Sequence, residues 1–460
     1  MYRNNTGMEA EIKKDSNLSS KNDLCRAISP IYYLGKVCGL VPVRFVANTT
    51  GGFQARLCVL TLLLGAEIWG LWRDLKDGWI HSTRLKFRTA VIATCSDVLG
   101  VMSLTVVCIV GSPFRWKHLQ VVVNKLIEVD KKVDLSSTKK NARRFTICLT
   151  TCSLLYLWFN STLDFYSWYR KTKVHQTLSD KGPINYAPLY FMYTVIISTE
   201  IQYTVSIYNI GERFVRLNNS LRKLAIELPF ELASYRVFPK LHGINSDYYF
   251  FQLIIVEPEP VRKLVTENKS YVNSISELRW IHSSLCDTVS LTNNTFGAVI
   301  LTVTVTCLLH LIITPYFLIV QAGEKHEWIF LFVQVGWCIF HVTRMLMIVQ
   351  PSYSTVGKKT AILVSQLLSS TFETDTRREL EIFSLQLLHR PIEFSACGLF
   401  PLDRTLITSI AGVVTTYLVI LIQFQNADDT KGDADIIRNV TQIFKNVSPL
   451  QNLTGIKINS

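Results

Sequence analysis

Eight residues, Asp97, Trp158, Tyr190, Glu200, His310, Thr314, Gln334 and Trp337, combine carboxylate, imidazole, hydroxyl and amide groups with aromatic rings. That mixture suits a polyhydroxylated small molecule, because polar groups exchange hydrogen bonds with hydroxyls while ring faces cover apolar C–H surface. A monosaccharide is the expected ligand class. His310 and Thr314 stand four apart, Gln334 and Trp337 three apart, and both spacings put their members on one face of a helix. Interhelical hydrogen bonds and an interfacial aromatic belt use the same residue types, so the cluster carries two readings at this point. Covalent and metal chemistry find no comparable set. The eleven cysteines form no C-x-x-C pair, and there is no H-E-x-x-H, zinc spacing, phosphate loop or G-x-S-x-G elbow. Neither an enzyme nor a bound cofactor or metal is expected.

The elements that must position these residues follow from where charge is missing. Charged residues make up 18% of the 460, against roughly 25% in a soluble chain, and they gather into blocks. From Thr89 to Phe114 the sole charge is Asp97, from Phe145 to Tyr169 it is Asp164, and from Gly182 to Gly211 it is Glu200. Thr288 to Gly323 and Thr405 to Ala427 carry none. Leu57 to Trp72, interrupted by Glu67, and Trp328 to Val349, interrupted by Arg344, complete a set of seven. A bilayer crossing takes about 20 apolar residues, so the expected fold is an all-α membrane protein with seven transmembrane helices. Placing the N-terminus in the cytoplasm and the C-terminus outside puts 31 Lys and Arg on the inner side against 14 on the outer, as the positive-inside rule favours. With that orientation Asp97, Trp158, Asn160, Asp164, Tyr190, Tyr193, His310, Thr314 and Gln334 fall in the outer half and Glu200 near the middle. Ionisable groups inside a membrane usually face a cavity or a partner, so a pocket open to the outside is expected.

The chain divides into a cytoplasmic N-terminal segment (1–55), four spans with their loops (56–228), an irregular cytoplasmic insert rich in proline (229–269), two further spans (270–349), cytoplasmic helices (350–401), the last span (402–424) and an extracellular tail (425–460). Val272, Ile275, Leu278, Ile281, Leu285 and Val289 recur at helical spacing, which predicts that the fifth helix starts in the cytoplasm. Residues 1–28 lack an apolar core, so no cleavable signal peptide is expected. The net charge of +13 is assigned to membrane lipid headgroups rather than nucleic acid, since no nucleic-acid module accompanies it. Asn439, Asn446 and Asn452 head N-x-S/T triplets in the tail and are candidate glycosylation sites.

Thr416-Tyr417, five apolar residues and Gln423-Phe424 resemble the signature that closes the last helix of insect gustatory receptors. The stretch Phe394-Ser395-Ala396-Cys397-Gly398-Leu399 through Gln425, with Cys307-Leu308-Leu309-His310 and Val333-Gln334, is most similar to the fructose-sensing branch of that family. The resemblance implies a homotetrameric, sugar-gated, non-selective channel for Na, K and Ca ions in the plasma membrane, with hetero-assembly with related receptors as a variant. It further implies that Glu373 to Arg390 belongs to a cytoplasmic anchor, that Leu402 to Phe424 lines the pore, and that Gln423 and Phe424 form the gate. The 36 residues after Phe424 exceed the tails associated with the family. Two other seven-span classes fit less well. A receptor signalling through a G protein needs the opposite orientation and an acidic-Arg-aromatic triplet that is absent, and a small-solute transporter would show two similar halves with interrupted helices.

Overall fold

The computed structural model describes residues 28–41, 50–81, 88–132, 139–174, 187–235, 258–321, 328–354, 358–369 and 374–424. Among them are eleven helices and one small hairpin: α1 (28–37), α2 (Thr50–His81), α3 (Arg88–Val110), α4 (Ser112–Lys132), α5 (Lys139–Val174), α6 (Ala187–Tyr235), α7 (Pro258–Gln321), α8 (Trp328–Ser354), α9 (Lys358–Ser369), α10 (Thr374–His389), β1 (Ser395–Ala396), β2 (Phe400–Pro401) and α11 (Arg404–Phe424). The seven sequence spans fall on α2, the α3–α4 pair, α5, α6, α7, α8 and α11. Three helices are long and apolar enough to cross a membrane, Tyr271–Ile319, Trp328–Tyr353 and Arg404–Phe424, or four if the bent pair Thr94–Val110 with Ser112–Lys132 is one span.

Helix α7 organises the molecule. Its 64 residues extend about 96 Å at 1.5 Å per residue, roughly three times a ~30 Å hydrocarbon core. It packs against α3, α4, α6, α8 and α10 along that length. Ile275, Leu278, Ile281, Leu285 and Val289, the spaced apolar residues of its first half, are buried. The second organiser is α6, which touches α2, α3, α5, α8 and α9.

Two sequence expectations change. The insert at 229–269 is helical at both ends, since α6 runs through Pro229 to Tyr235 and α7 begins at Pro258. Pro258 and Pro260 sit in a first helical turn, where a missing N–H costs no intrahelical bond. Residues 236–257 lie outside the described residues, as do the candidate glycosylation sites Asn439, Asn446 and Asn452. The span from Thr89 to Phe114 is not straight: it bends by 56° between Val110 and Ser112. Arg115 folds back there to donate to the Val107 carbonyl at 3.1 Å and to the Cys108 carbonyl, satisfying acceptors freed by the bend. A side chain at Gly111 would meet that guanidinium at 2.7 Å and the Val107 oxygen at 2.8 Å.

The last helix stands apart. Asp403 caps α11, accepting from the Thr405 backbone N–H at 2.9 Å. Leu418 and Leu421 lean on Ile313, Tyr316 and Phe317 near the end of α7. Thr416, Tyr417, Gln423 and Phe424 are all exposed in the single chain, so the signature residues meet no neighbour within the bundle core.

Candidate functional site

Five helices bring their polar positions to one end of the bundle: the first turns of α6 and α8, the first half of α3, and the later turns of α5 and α7. Between them lies a cavity of about 70 Å³ whose walls include Asp97 of α3, Asp164 and Trp168 of α5, Tyr190 and Tyr193 of α6, His310, Thr314 and Phe317 of α7, and Gln334, Trp337 and His341 of α8. The alternation of chain direction explains the convergence, since positions near opposite ends of successive helices share a depth. Asp97, Tyr190, His310, Thr314, Gln334 and Trp337 are therefore neighbours, though they span most of the sequence.

The polar groups form two short networks. Asp164 accepts from the Tyr190 hydroxyl at 2.8 Å and from the Trp337 indole N–H at 3.3 Å. His310 Nδ1 lies 2.5 Å from the Thr306 carbonyl, an acceptor only, so Nδ1 carries a proton. Its Nε2 then faces both the Tyr193 hydroxyl at 2.6 Å and an Asp97 oxygen at 2.9 Å. A neutral ring accepts from Tyr193, and a protonated ring donates to Asp97. The rings of Tyr190 and Trp337 lie nearly parallel, 10° apart with centroids at 6.4 Å, and Tyr193 sits 5.2 Å from Trp337. Flat ring faces beside carboxylates and an imidazole are the furniture of a polyol site.

Two of the eight expected residues do not line the cavity. Glu200 is fully buried behind it and bound to Arg344, whose Nε lies 3.1 and 3.2 Å and whose Nη2 lies 2.6 Å from its carboxylate oxygens. A lone carboxylate at that depth requires a counter-charge, and Arg344 supplies it from α8. Trp158 is exposed on the outer face of α5, edge-on to Phe191 at 5.2 Å. Six residues along a helix is one and two-thirds turns, so when Asp164 faces inward Trp158 faces away. Asp164 and Trp168, four apart, are the pair that α5 contributes.

The sequence reading placed Asp164 and Tyr193 at the right depth without selecting them, and it passed over Thr94, Trp168, Phe317 and His341. Asp164 carried the same signal as Asp97, being the sole charge of its span. His341 had none, for nothing local distinguishes it from a packed histidine. Its ring centroid lies 4.2 Å from that of His310, and its Nδ1 faces Arg344 Nη1 at 3.3 Å. Glu200 is thus linked to the cavity through Arg344 and His341.

The other end of α7 holds α10 and the hairpin. Asn293 donates to the Glu393 carbonyl at 2.9 Å and faces the Ser395 backbone N–H at 3.4 Å. One turn further, a Cβ on Gly297 would come within 3.0 Å of the Cys397 nitrogen and 3.1 Å of its sulfur. Cys397 and Gly398 both adopt positive φ, 52° and 71°, to turn β1 into β2 and so into α11. One helix therefore carries His310 and Thr314 in the cavity and also grips the hairpin that leads into α11.

Comparison with known proteins places this arrangement. Residues 28–428 match the family described as 7tm Chemosensory receptor. The chain is 27% identical over 423 residues to the gustatory receptor for sugar taste 43a of Drosophila melanogaster, covering 86% of this chain and 98% of that protein. Gustatory receptor 28a of the same organism is 25% identical over 450 residues, covering 90% of this chain and 96% of the relative. The fold is similar to that of the insect olfactory receptor OR5 from Machilis hrabei, solved in complex with eugenol, with a TM-score of 0.57 at 15% identity over 86% of this chain and 97% of that one.

Proposed function

Because the chain belongs to the 7tm chemosensory receptor family, we propose that it is a sugar-gated, non-selective cation channel, with fructose as the preferred ligand. The cavity carries this reading: two carboxylates, two imidazoles, an amide and stacked aromatic rings converge at one end of a helical bundle. The relative with the sugar-taste name, aligned over 98% of its own length, supports the same ligand class. Asp97, Asp164, His310, Thr314 and Gln334 supply hydrogen bonds to sugar hydroxyls, and Tyr190 and Trp337 cover its C–H face.

At about 70 Å³ the cavity lies far below the ~300–1,000 Å³ of ligand pockets, so it describes a closed state that a sugar must widen. Widening displaces α7, and Asn293 and Gly297 pass that displacement to the hairpin and α11. Four copies of α11 surround the pore, which gives its exposed face a partner. Phe424 forms an apolar ring at the outer mouth, and Gln423 turns its amide toward permeating ions when the ring opens. The seven spans run with the N-terminus inside and the C-terminus outside the plasma membrane.

Whole-cell recording from cells expressing this chain alone, against a panel of sugars, tests the reading. Fructose-evoked current is expected, and Phe424→Ala is expected to pass current without sugar at an unchanged surface level. Silence to every sugar from surface-labelled wild-type protein would overturn it.

A further inference from the structure

Glu67, in α2, is the one carboxyl among the described residues that is fully buried with neither oxygen in a formed hydrogen bond. Its situation contrasts with Glu200, equally buried but held by Arg344. An uncompensated ionisable group at membrane depth is expensive and marks a functional position. The backbone N–H of Leu189, in the first turn of α6, and Asp97 both act on its carboxyl. The Leu189 amide is one of the donors a helix start leaves unused, and it is a donor available to the Glu67 carboxyl. Leu189 and Asp97 both line the cavity, so Glu67 stands directly behind that wall.

The cavity must enlarge to hold a sugar, and α2 stands next to the wall that Leu189 and Asp97 form. Helix α2 packs mainly on α3 and α6 and leaves Leu62, Ile68, Trp69 and Trp72 exposed. It stands beside the site without lining the closed cavity. We propose that Glu67 is a ligand-contacting residue of the enlarged site: as the wall at Leu189 moves, its carboxylate accepts hydrogen bonds from sugar hydroxyls. The group left without a partner in the closed cavity finds its partners in the ligand. This inference rests on the sugar-binding reading of the cavity and adds a helix that the closed cavity does not include.

A packing role and a ligand role differ in what they predict for sugar affinity. If Glu67 only fills space, Glu67→Leu removes an unsatisfied buried carboxyl, so surface expression holds or rises and the sugar response is unchanged. If it contacts ligand, surface expression holds or rises while apparent sugar affinity falls about tenfold or more, the scale of hydrogen bonds to a charged acceptor. Binding of radiolabelled fructose to the full-length protein in membranes, with surface labelling and current on the same cells, reads both. A deoxy-fructose series on wild type is expected to contain one analogue that loses affinity as Glu67→Leu does and loses no more on that variant. An unchanged fructose curve for Glu67→Leu overturns the proposal and leaves the channel reading intact. Should the Leu variant be retained in the cell, Glu67→Gln decides, because it keeps the shape, and an unchanged curve there overturns the proposal equally. Wild-type binding without current removes the channel reading and leaves Glu67 judged on binding, whereas no sugar binding by wild type removes both.

Discussion

Where α7 runs beside α4, α6 and α10, polar groups, buried and exposed, are spent on one another. Arg213 and Asp130 form a two-point ion pair at 2.9 and 2.5 Å, Arg390 donates to Ser283 at 2.6 Å and Asp287 at 2.8 Å, and Gln386 reaches the Arg279 carbonyl at 3.1 Å and His282 Nδ1 at 3.0 Å. At the opposite end of the same helix, polar groups of comparable kind surround a cavity, and Glu67 beside it lacks hydrogen bonds altogether. The difference is one of placement rather than composition. Contacts between packed helices hold them in register, and groups at a cavity wall stand within reach of a ligand.

Four experiments break or sharpen that contrast. The largest effect is expected from Arg344→Met, which strands Glu200 as a buried charge. Removing one partner of such a pair costs about 3–5 kcal/mol, so surface protein should fall steeply, and Glu200→Met in the same chain should restore it. Surface biotinylation checks both, and recovery that fails in the double variant would give the pair a role beyond charge balance.

Gly297→Val comes next. Its side chain meets Cys397 backbone as well as sulfur, so the hairpin has to shift. Sugar binding is expected to persist while sugar-evoked current falls at least severalfold. Equal loss of binding and current would instead mean general damage to α7.

Gln334→Ala and His310→Ala remove cavity hydrogen bonds worth about 0.5–1.5 kcal/mol each. The sugar dose-response should move about two- to twelvefold to higher concentration at unchanged surface level. Unmoved curves in both would make the cavity end another packing region and erase the contrast.

The smallest effect concerns pH at the packed end. His282 lies in the part of α7 that precedes the span from Thr288, and burial, with the Arg390 guanidinium adding to it, pushes its imidazole down to about 4. An undocked histidine takes a proton near its ordinary ~6.5, whereas the docked one refuses it until about 4. Docking of α10 on α7 is therefore at full strength above ~6.5 and weakens as pH falls from there toward 4. Protection factors of the α10 amides, corrected for the intrinsic pH dependence of exchange, should fall from pH 7.5 to 5 in wild type and change less in His282→Gln.

Much of this was legible before any tertiary contact was known. A span must be apolar to leave water, so the gaps between charges marked the helices, and the sole charge of a span marked a residue that had to face inward. Asp97 followed from that rule, and Asp164 obeyed it as well. Alternating helix direction gave a common depth for Tyr190, His310, Thr314 and Gln334, and the cavity contains all four. The rule failed where depth was right but azimuth was not. Trp158 has the right depth and points outward, and Glu200 has a partner 144 residues away.

The sequence by itself determined which segments are apolar enough to form long helices, which of their residues share a layer, and to which family the last helix is similar, because periodicity and charge exclusion are local properties. Tertiary structure alone decided which buried groups are satisfied. Arg344 closes on Glu200, Asn293 and Gly297 take up the hairpin, and Glu67 is left with neither carboxylate oxygen bonded. Satisfaction depends on the angle at which each helix presents a side chain to its neighbours. That angle is fixed by packing among α3, α5, α6, α7 and α8 together, and no single stretch of sequence contains it.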